Sequence, residues 1–420
     1  MNLAQYPAAK LTAVIDNAAQ VLTCAAGATD RIGLCPGASV AIAGDLIAAV
    51  GPRASLAKSY DLGGAARIDA RGGIVLPGFV DCHTHLVFHG SRVEEYSHRV
   101  RGATNATLAA RGIRTGIPAT VATLQQASTE ELMLSATARL DAMLAHGTTT
   151  VESKSGYGLS TATEIRMLEV NRALDSEHPI DVVSTFLGAH AFPSDLSRAA
   201  YLDLLTEEMI PLIAQRKLAE FNDVYCDDGY YSVAESRRVL EAGAAHGLKI
   251  KIHTDAYSHI GGSLLAAQLG AVSADHLNYT QPDEYAALQA AGVVGVVMPG
   301  LDFAVQHGRP FAARAMLDAG LTLALATDLC PACWIESMPF VIQLACRLYA
   351  FGVDEAIRAA TLGGAQALDR AATIGSLEPG KKADIAVFAV PRFEDLAYRL
   401  GSGRASLVIK EGRVVFDAEA

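Results

Sequence analysis

The alternation of short apolar runs with helical patterns limits the fold of this chain more than any other feature of its sequence. Stretches rich in Ala, Leu, Glu and Arg separate most of the runs, for example residues 129–146, 161–175, 233–246 and 311–319. Eight β–α units of this kind predict a (β/α)8 barrel, a fold that typically takes about 250 residues. The eight apolar runs are residues 73–85, 148–153, 181–190, 219–226, 249–255, 272–277, 292–299 and 321–328.

The two ends of the chain resemble each other more than they resemble the middle. Both carry β-type runs separated by Gly, Pro and Asp, at residues 11–15, 39–42 and 46–50 and again at 385–390, 406–410 and 412–416. Runs of this length bounded by turn residues are typical of strands. We therefore predict a small composite β-domain, a β-sandwich, built from residues 1–72 and 375–420, around a catalytic barrel over residues 73–374.

Composition excludes several classes of protein. Hydrophobic residues make up 51% of the chain and charged residues 19%, so a large core can be buried. The formal net charge is −11 and no run of Lys or Arg occurs, which argues against a nucleic-acid partner. No apolar stretch approaches the ~18–20 residues of a membrane span, and residues 1–6 do not resemble a signal peptide. Seven cysteines without a repeated spacing predict a reduced, cytoplasmic setting.

Histidines cluster at the predicted strand ends. In a (β/α)8 barrel the residues at the C-terminal ends of the strands carry the chemistry. His83 and His85 end strand one, and side chains two apart on a strand point to the same side. His190, His253 and His276 end strands three, five and six, so that five of the 12 histidines would face one mouth. Any one of them could be a packed structural residue, but the joint pattern argues against that interpretation.

These strand ends predict a mononuclear metal site. Three neutral imidazoles and one carboxylate can hold a divalent ion whose water ligand has a lowered pKa. His276 would orient this water or stabilise developing negative charge, and Asp328 would take the water's proton and deliver it to the leaving nitrogen. A carboxylated Lys154 that bridges two metals is the alternative, although four ligands already complete a mononuclear site. The four predicted ligands are His83, His85, His253 and Asp328.

Five segments carry motifs that can be matched to a known family. They are residues 77–88 (PGFVDCHTHLVF), 152–158 (ESKSGYG), 188–190 (GAH), 271–276 (AVSADH) and 336–339 (ESMP). Together they resemble the amidohydrolase superfamily and, more narrowly, the imidazolonepropionase family of histidine degradation. The resemblance extends over essentially the whole chain. A closing segment at residues 375–384 is widespread in the superfamily and says little about the substrate.

The resemblance implies a substrate, a metal and an assembly. The substrate would carry a five-membered imidazolone ring and a propionate tail, and the chain would form a homodimer. One zinc ion would occupy the site, and iron or manganese would also be accepted there. The planar fork of Arg92 suits a carboxylate, and Tyr157 and His190 can hydrogen-bond the tail or the ring carbonyl. The alternative for Arg92 is a solvated surface charge.

The chain departs from the family pattern at two positions that should meet the ring. The family usually has an acidic residue after the His-x-Asp of strand five, where this chain has Ala256. It also usually has Asn-Pro-Gly near the strand-eight Asp, where this chain has Cys330 followed by Pro-Ala-Cys. Two ring types therefore stay open: imidazolone itself, and a 2-substituted analogue such as 2-thioxo-imidazolone propionate that loses sulfide (a desulfhydrase reaction), which a polarizable thiol would suit.

Two further classes stay open. A heterocycle deaminase of the same superfamily would release ammonia without opening the ring. A non-catalytic barrel would be expected to have lost metal ligands, whereas this chain keeps all four of the predicted ones.

Overall fold

The computed structural model describes residues 10–419 of the 420-residue chain, so the prediction made for residues 1–6 lies outside the described part. No helix in the described part is long and apolar enough to cross a membrane. The strands are β1 (Ala13–Asp16), β2 (Gln20–Leu22), β3 (Leu34–Pro36), β4 (Ser39–Ala43), β5 (Leu46–Gly51), β6 (Ala66–Asp69), β7 (Ile74–Pro77), β8 (Phe79–Asp81), β9 (Thr148–Lys154), β10 (Asp181–Ala189), β11 (Phe221–Cys226), β12 (Lys249–Thr254), β13 (Ser273–His276), β14 (Val294–Val297), β15 (Leu323–Leu325), β16 (Ile385–Phe388), β17 (Leu407–Lys410) and β18 (Arg413–Asp417).

Helices follow most of the barrel strands, and several begin at a side-chain cap. Ser128 with Glu131 and Ser232 with Glu235 form capping boxes, which satisfy backbone N–H groups at the first turn. The helices, π-helical segments included, are Arg53–Ser59, Val93–Arg99, Asn105–Ala109, Gly116–Gln126, Thr129–Ala145, Thr161–Glu177, Arg198–Asp203, Leu204–Met209, Ile210–Gln215, Val233–Ala245, Gly262–Leu269, Pro282–Ala290, Pro299–Val305, Ala313–Asp318, Met338–Leu348, Val353–Arg358, Ala359–Gly363, Gly364–Ala367 and Asp395–Tyr398.

Strands β8 to β15 form one parallel sheet in chain order, and this sheet closes on itself. Closure occurs just beyond the ends of β8 and β15, where Thr84 forms a parallel bridge with Leu329. The Asp328 N–H donates to the His83 carbonyl at 3.1 Å, and the His85 N–H donates to the Leu329 carbonyl at 2.9 Å. The predicted (β/α)8 barrel is confirmed, and the bonds that close it join the segments that carry three of the four predicted metal ligands.

Both ends of the chain contribute to the remaining sheets. The four-stranded sheet has the order β5-β4-β1-β6, and the six-stranded sheet has the order β18-β17-β16-β7-β2-β3. A shared apolar cluster joins their faces, with Ile15 and Val40 from one sheet and Val75 and Ile385 from the other. Such packing of two sheets through interdigitating apolar side chains makes a sandwich. The prediction of a β-sandwich built from both ends of the chain is confirmed.

The first predicted barrel strand, residues 73–85, is two strands in the structure. Residues of β7 pair with β16 and β2 in the six-stranded sheet, while β8 pairs with β9 in the barrel. Gly78 stands between them, and a Cβ at this position would lie 2.3 Å from the Thr149 side chain. The chain therefore passes from one sheet to the other within a single apolar run of the sequence. The division into domains at residues 72 and 375 stays a proposal, and β7 argues for placing its first boundary near Gly78.

Candidate metal centre

Three histidines converge at the C-terminal mouth of the barrel. His83 and His85 follow β8, and His253 lies on β12. The ring centroids of His83 and His253 are 4.4 Å apart, and the ring of His85 lies 5.6 Å from each of the other two. One nitrogen of each ring falls within a group whose atoms all lie within 4.8 Å of one another. The structure therefore brings together the three imidazoles that the sequence predicted as ligands.

Asp328 completes this group from the far end of the chain. Its Oδ1 lies 3.7 Å from His83 Nε2 and 3.5 Å from His85 Nε2. The residue follows β15 with a φ of 50°, in the left-handed region that non-glycine residues rarely occupy. Strain of this kind collects at functional sites, where the surrounding structure holds the residue in place.

The unpaired atoms of this cluster identify what it can hold. Buried polar atoms almost always have hydrogen-bond partners, yet His83 Nε2, His253 Nε2 and Asp328 Oδ1 have none among the described residues. The opposite nitrogens are occupied: His83 Nδ1 donates to Asp275 Oδ2 at 2.6 Å and His253 Nδ1 to Asp223 Oδ2 at 2.9 Å. This pairing leaves a lone pair on each Nε2, as a metal ligand requires. The donor set therefore fits one divalent cation.

Burial favours the neutral form of two of these imidazoles. It lowers the pKa of His83 and of His85 well below the usual value, and the nearby Lys154 ammonium lowers both further. A neutral imidazole can ligate a cation and a protonated one cannot.

Beneath the histidines lies a layer of buried charge that the sequence did not predict. The Lys154 Nζ donates to Glu152 Oε1 at 2.6 Å and to Asp223 Oδ2 at 2.8 Å, and it lies 3.6 Å from Asp275 Oδ2. All four of these side chains are fully buried. Asp223 and Asp275 could have been identified from the sequence, because each is a charged residue within an apolar run that predicts a buried strand.

His276 faces the same centre without a partner. Its ring centroid lies 5.3 Å from that of His83 and 5.2 Å from that of His253. The ring forms no hydrogen bond with the described residues, and one of its nitrogens lies within 4.8 Å of a His83 nitrogen and an Asp328 oxygen. The residue is only 7% exposed. Like Asp328, it adopts a positive φ, of 83°. The ring is therefore free to bond a molecule bound in the mouth.

Tyr157 and His190 form one wall of the site. The His190 ring stacks on His85 with centroids 4.9 Å apart, and the Tyr157 ring lies 5.5 Å from His85. His190 Nδ1 pairs with the Gly156 carbonyl at 3.2 Å, and burial lowers the pKa of His190 to about 3. The Tyr157 residue is 4% exposed, and burial raises the pKa of its hydroxyl well above the usual value. This hydroxyl is a neutral donor with no hydrogen-bond partner among the described residues.

Arg92 lies immediately before the helix Val93–Arg99. Its Nε and Nη2 donate to the Glu95 carboxylate at 2.7 and 3.0 Å, and its side chain is 20% exposed. Its positive charge acts on Tyr157, where it favours the ionised phenol. The guanidinium is thus held by Glu95 near the Tyr157 wall, and it is not the freely solvated surface charge considered as the alternative.

Both departures from the family pattern lie close to the metal centre in the chain. Cys330 is 6% exposed, and its backbone pairs with Cys333 through two N–H to carbonyl bonds of 3.0 Å. Burial raises the pKa of the Cys330 thiol, and the Asp328 carboxylate raises it further. Ala256 is 2% exposed, and its carbonyl accepts a bond from His307 Nε2 at 2.9 Å. Position 256 therefore offers no carboxylate to a ligand.

Two tyrosines near the centre were not singled out from the sequence. The Tyr225 ring lies 5.8 Å from His253 and 4.0 Å from the Tyr230 ring. Beside them a cavity of about 370 Å³ is lined by residues that include Tyr230, Asp227 and Arg198. The alternation of β11, which points Asp223 and Tyr225 to the same side, is the signal that would have found Tyr225.

A barrel whose strand ends carry three histidines and an aspartate around unpaired ligand atoms is the architecture of metal-dependent amidohydrolases. Residues 97–416 match the profile of the amidohydrolase family. A zinc-bound adenosine deaminase from Xanthomonas campestris has the same fold, with a TM-score of 0.74, 20% identity and coverage of 97% of this chain and 94% of that chain. An atrazine chlorohydrolase from Arthrobacter aurescens TC1, complexed with zinc, gives a TM-score of 0.71 at 20% identity, covering 97% and 96%.

Sequence relatives narrow the family further. The chain is 45% identical to an imidazolonepropionase from Symbiobacterium thermophilum over 91% of both chains. It is 46% identical to one from Geobacillus thermodenitrificans, over 90% of this chain and 89% of the relative. A third, from Halobacterium salinarum, is 42% identical over 96% and 98%. The chain belongs to the imidazolonepropionase family, and the resemblance inferred from its motifs is confirmed.

Proposed function

We propose that this protein is a metal-dependent hydrolase of imidazolone propionate, which opens the five-membered ring at a cyclic amide bond. The observation that carries this proposal is the convergence of His83 Nε2, His253 Nε2 and Asp328 Oδ1, all buried and unpaired, at the mouth of the barrel. Full-length relatives with 41–46% identity that are named imidazolonepropionases support the choice of substrate.

The metal site is proposed to consist of His83, His85, His253 and Asp328. A divalent ion held there supplies Lewis-acid chemistry and makes water nucleophilic at neutral pH. Zinc is the proposed ion, because such a donor set accepts zinc readily, although iron or manganese would also fit.

Protons are proposed to move through two residues. The Asp328 carboxylate, which is proposed to hold the metal through Oδ1, would also accept a proton from the attacking water. The ring carbon gains the hydroxyl oxygen, its bond to the ring nitrogen breaks, and this nitrogen takes the proton that Asp328 accepted. His276, whose ring nitrogens are free, can donate to the ring oxygen as negative charge develops there.

The propionate tail is proposed to bind at Tyr157, Arg92 and His190. The Tyr157 hydroxyl has no hydrogen-bond partner within residues 10–419, and the Arg92 guanidinium is fixed by Glu95. A carboxylate there would receive a bond from a neutral phenol beside a guanidinium, which is a favourable charge-assisted arrangement. Cys330 is proposed to contact the ring.

The alternatives named from the sequence are less well supported. The named relatives favour the imidazolone ring over a 2-thioxo ring or a deamination, and the departures at Ala256 and Cys330 do not by themselves identify another ring. A cytoplasmic location and a homodimer are proposed from the resemblance, and a small molecule with a carboxylate tail is the proposed partner.

Steady-state kinetics on the purified, zinc-reconstituted protein test the proposal. We expect loss of the ring's ultraviolet absorbance with imidazolone propionate, in proportion to bound metal, and little turnover by an Asp328→Ala variant. The 2-thioxo analogue is assayed in parallel for sulfide, and both reactions for ammonia. A kcat/KM for sulfide release above that for opening of the imidazolone ring would overturn the assignment, as would inactivity on the imidazolone at one metal per chain.

A further inference from the structure

Lys154 sits at the centre of the buried charge layer below the proposed metal site. It ends β9, and its ammonium meets carboxylates from three strands: Glu152 on β9, Asp223 on β11 and Asp275 on β13. The closest contacts, 2.6 Å to Glu152 and 2.8 Å to Asp223, are hydrogen-bonding distances. Because none of these side chains reaches solvent, the carboxylates depend on buried cations for compensation of their charge.

The same oxygen atoms serve both the lysine and the ligand histidines. Asp223 Oδ2 accepts from Lys154 Nζ and from His253 Nδ1. Asp275 Oδ2 accepts from His83 Nδ1 and lies 3.6 Å from Lys154 Nζ. Removal of the ammonium would take away the hydrogen bond that fixes the Asp223 oxygen shared with His253, and it would open space beside the Asp275 oxygen that holds His83. The lysine thereby acts on two imidazoles that it does not itself touch.

The contacts of Lys154 also favour one of its two possible roles. A carboxylated lysine would bring a further negative charge against Glu152 and Asp223, where the structure places an ammonium that donates to both. A second buried lysine, Lys251, lies 3.8 Å from the same Glu152 oxygen, and it donates to the main-chain carbonyls of Cys82 and Ala367. Both lysines therefore lie beside a buried carboxylate, and such surroundings disfavour an added negative charge.

We propose that Lys154 is a positioning residue that acts as a fixed internal cation: it holds Asp223 and Asp275 so that His253 and His83 present Nε2 to a single metal ion. This inference rests on the proposed metal site but not on the identity of the substrate. Residues that orient metal ligands in this way typically change metal affinity about 10- to 100-fold when they are replaced.

Metal affinity, measured by competition with a chromophoric chelator, tests the proposal without any substrate. We expect Lys154→Met and Lys154→Gln to raise the dissociation constant for zinc about 10- to 100-fold and to alter the visible absorption of the cobalt-substituted protein. Lys410→Met is the matched control, because it removes a buried ammonium, on β17 of the six-stranded sheet, that pairs with Asp384 and Asp181 and not with Asp223 or Asp275. It should lower the thermal midpoint while leaving the zinc dissociation constant within about threefold of the parent.

The outcomes separate this inference from the proposed function. A parent protein that binds no divalent metal would contradict the proposed function itself. Folded Lys154 variants that bind zinc as tightly as the parent, with an unchanged cobalt spectrum, would contradict the role of Lys154 alone. Should neither variant fold, the unaltered protein still decides: we expect one metal per chain with or without bicarbonate, and a second metal taken up in bicarbonate would show that Lys154 is carboxylated.

Discussion

Replacement of Tyr157 by Phe should separate substrate binding from protein stability. The Tyr157 hydroxyl makes no hydrogen bond with the described residues, although the residue is 4% exposed and its ring packs beside His85 and His190. Removing the oxygen therefore breaks no contact within the folded protein. We expect the free energy of unfolding to change by less than about 0.5 kcal/mol, as for substitutions that disturb no partner.

The loss should fall on the substrate instead. A hydrogen bond to a charged group contributes about 1.5–3 kcal/mol, which corresponds to a roughly 10- to 150-fold change in binding. Because the carboxylate tail does not change during the reaction, this contribution is made equally in the ground state and the transition state. We therefore expect Tyr157→Phe to raise KM by about that factor while kcat stays nearly constant.

Tyr201→Phe is the matched control for this experiment. Its hydroxyl donates to the Gly188 carbonyl at 2.9 Å in the fully buried core, so its removal leaves that carbonyl unpaired. We expect a loss of about 1–3 kcal/mol in urea unfolding and an unchanged KM. The reasoning would be refuted if Tyr157→Phe kept the parental KM, or if it lost as much stability as Tyr201→Phe does.

Three further changes have directions that the structure fixes. Asp328→Ala should reduce bound zinc below one per chain, as measured by metal analysis, and should reduce activity about 10²–10⁴-fold in kinetic assays. A full metal content in this variant would contradict the assignment of Asp328 as a ligand. Arg139→Leu removes donors to the Leu86 and Phe88 carbonyls, at 2.7 and 3.1 Å, and should cost about 2–4 kcal/mol in urea unfolding. The hydrogen bond to Glu284 raises the pKa of His259 above its usual value. The pair therefore stabilises the folded protein, by about 0.5 kcal/mol because it is partly exposed. This contribution is complete below pH ~6.5, the pKa of an unperturbed histidine, and is lost as the pH rises through the raised pKa. The stability advantage of the parent over His259→Gln should therefore shrink between pH 6 and pH 9, and an advantage that grows with pH would contradict this sign.

The barrel could be predicted from sequence because its signal is repeated eight times, but the start of its first strand could not. Residues 74–81 form one apolar run, and hydrophobicity alone gives no sign that β7 leaves with the terminal strands while β8 enters the barrel. The change of sheet depends on the close approach of Gly78 to Thr149, a contact between segments far apart in the chain. Periodicity within a strand carries no information about which sheet it joins.

The metal cluster was likewise predictable at the level of residue types, because chemistry at strand ends follows from the fold. The buried charge layer was not. Asp223, Asp275 and Lys154 become partners only through the register of β9, β11 and β13, which are separated by whole helices. In the sequence Lys154 was compatible with a bridging ligand, whereas its two hydrogen bonds to carboxylates favour an ammonium.

The two halves of the site are built on different elements, and this difference governs how they can change. The groups proposed to orient the metal ligands lie on strands β9, β11 and β13, where every partner is buried and each substitution leaves a charge unpaired. The groups proposed to meet the substrate, Arg92, Tyr157 and Cys330, lie in segments beyond the strand ends. Loops tolerate substitution better than the strands that position them. A family member can therefore acquire Ala256 and Cys330 at the substrate side while the geometry that holds the metal stays intact.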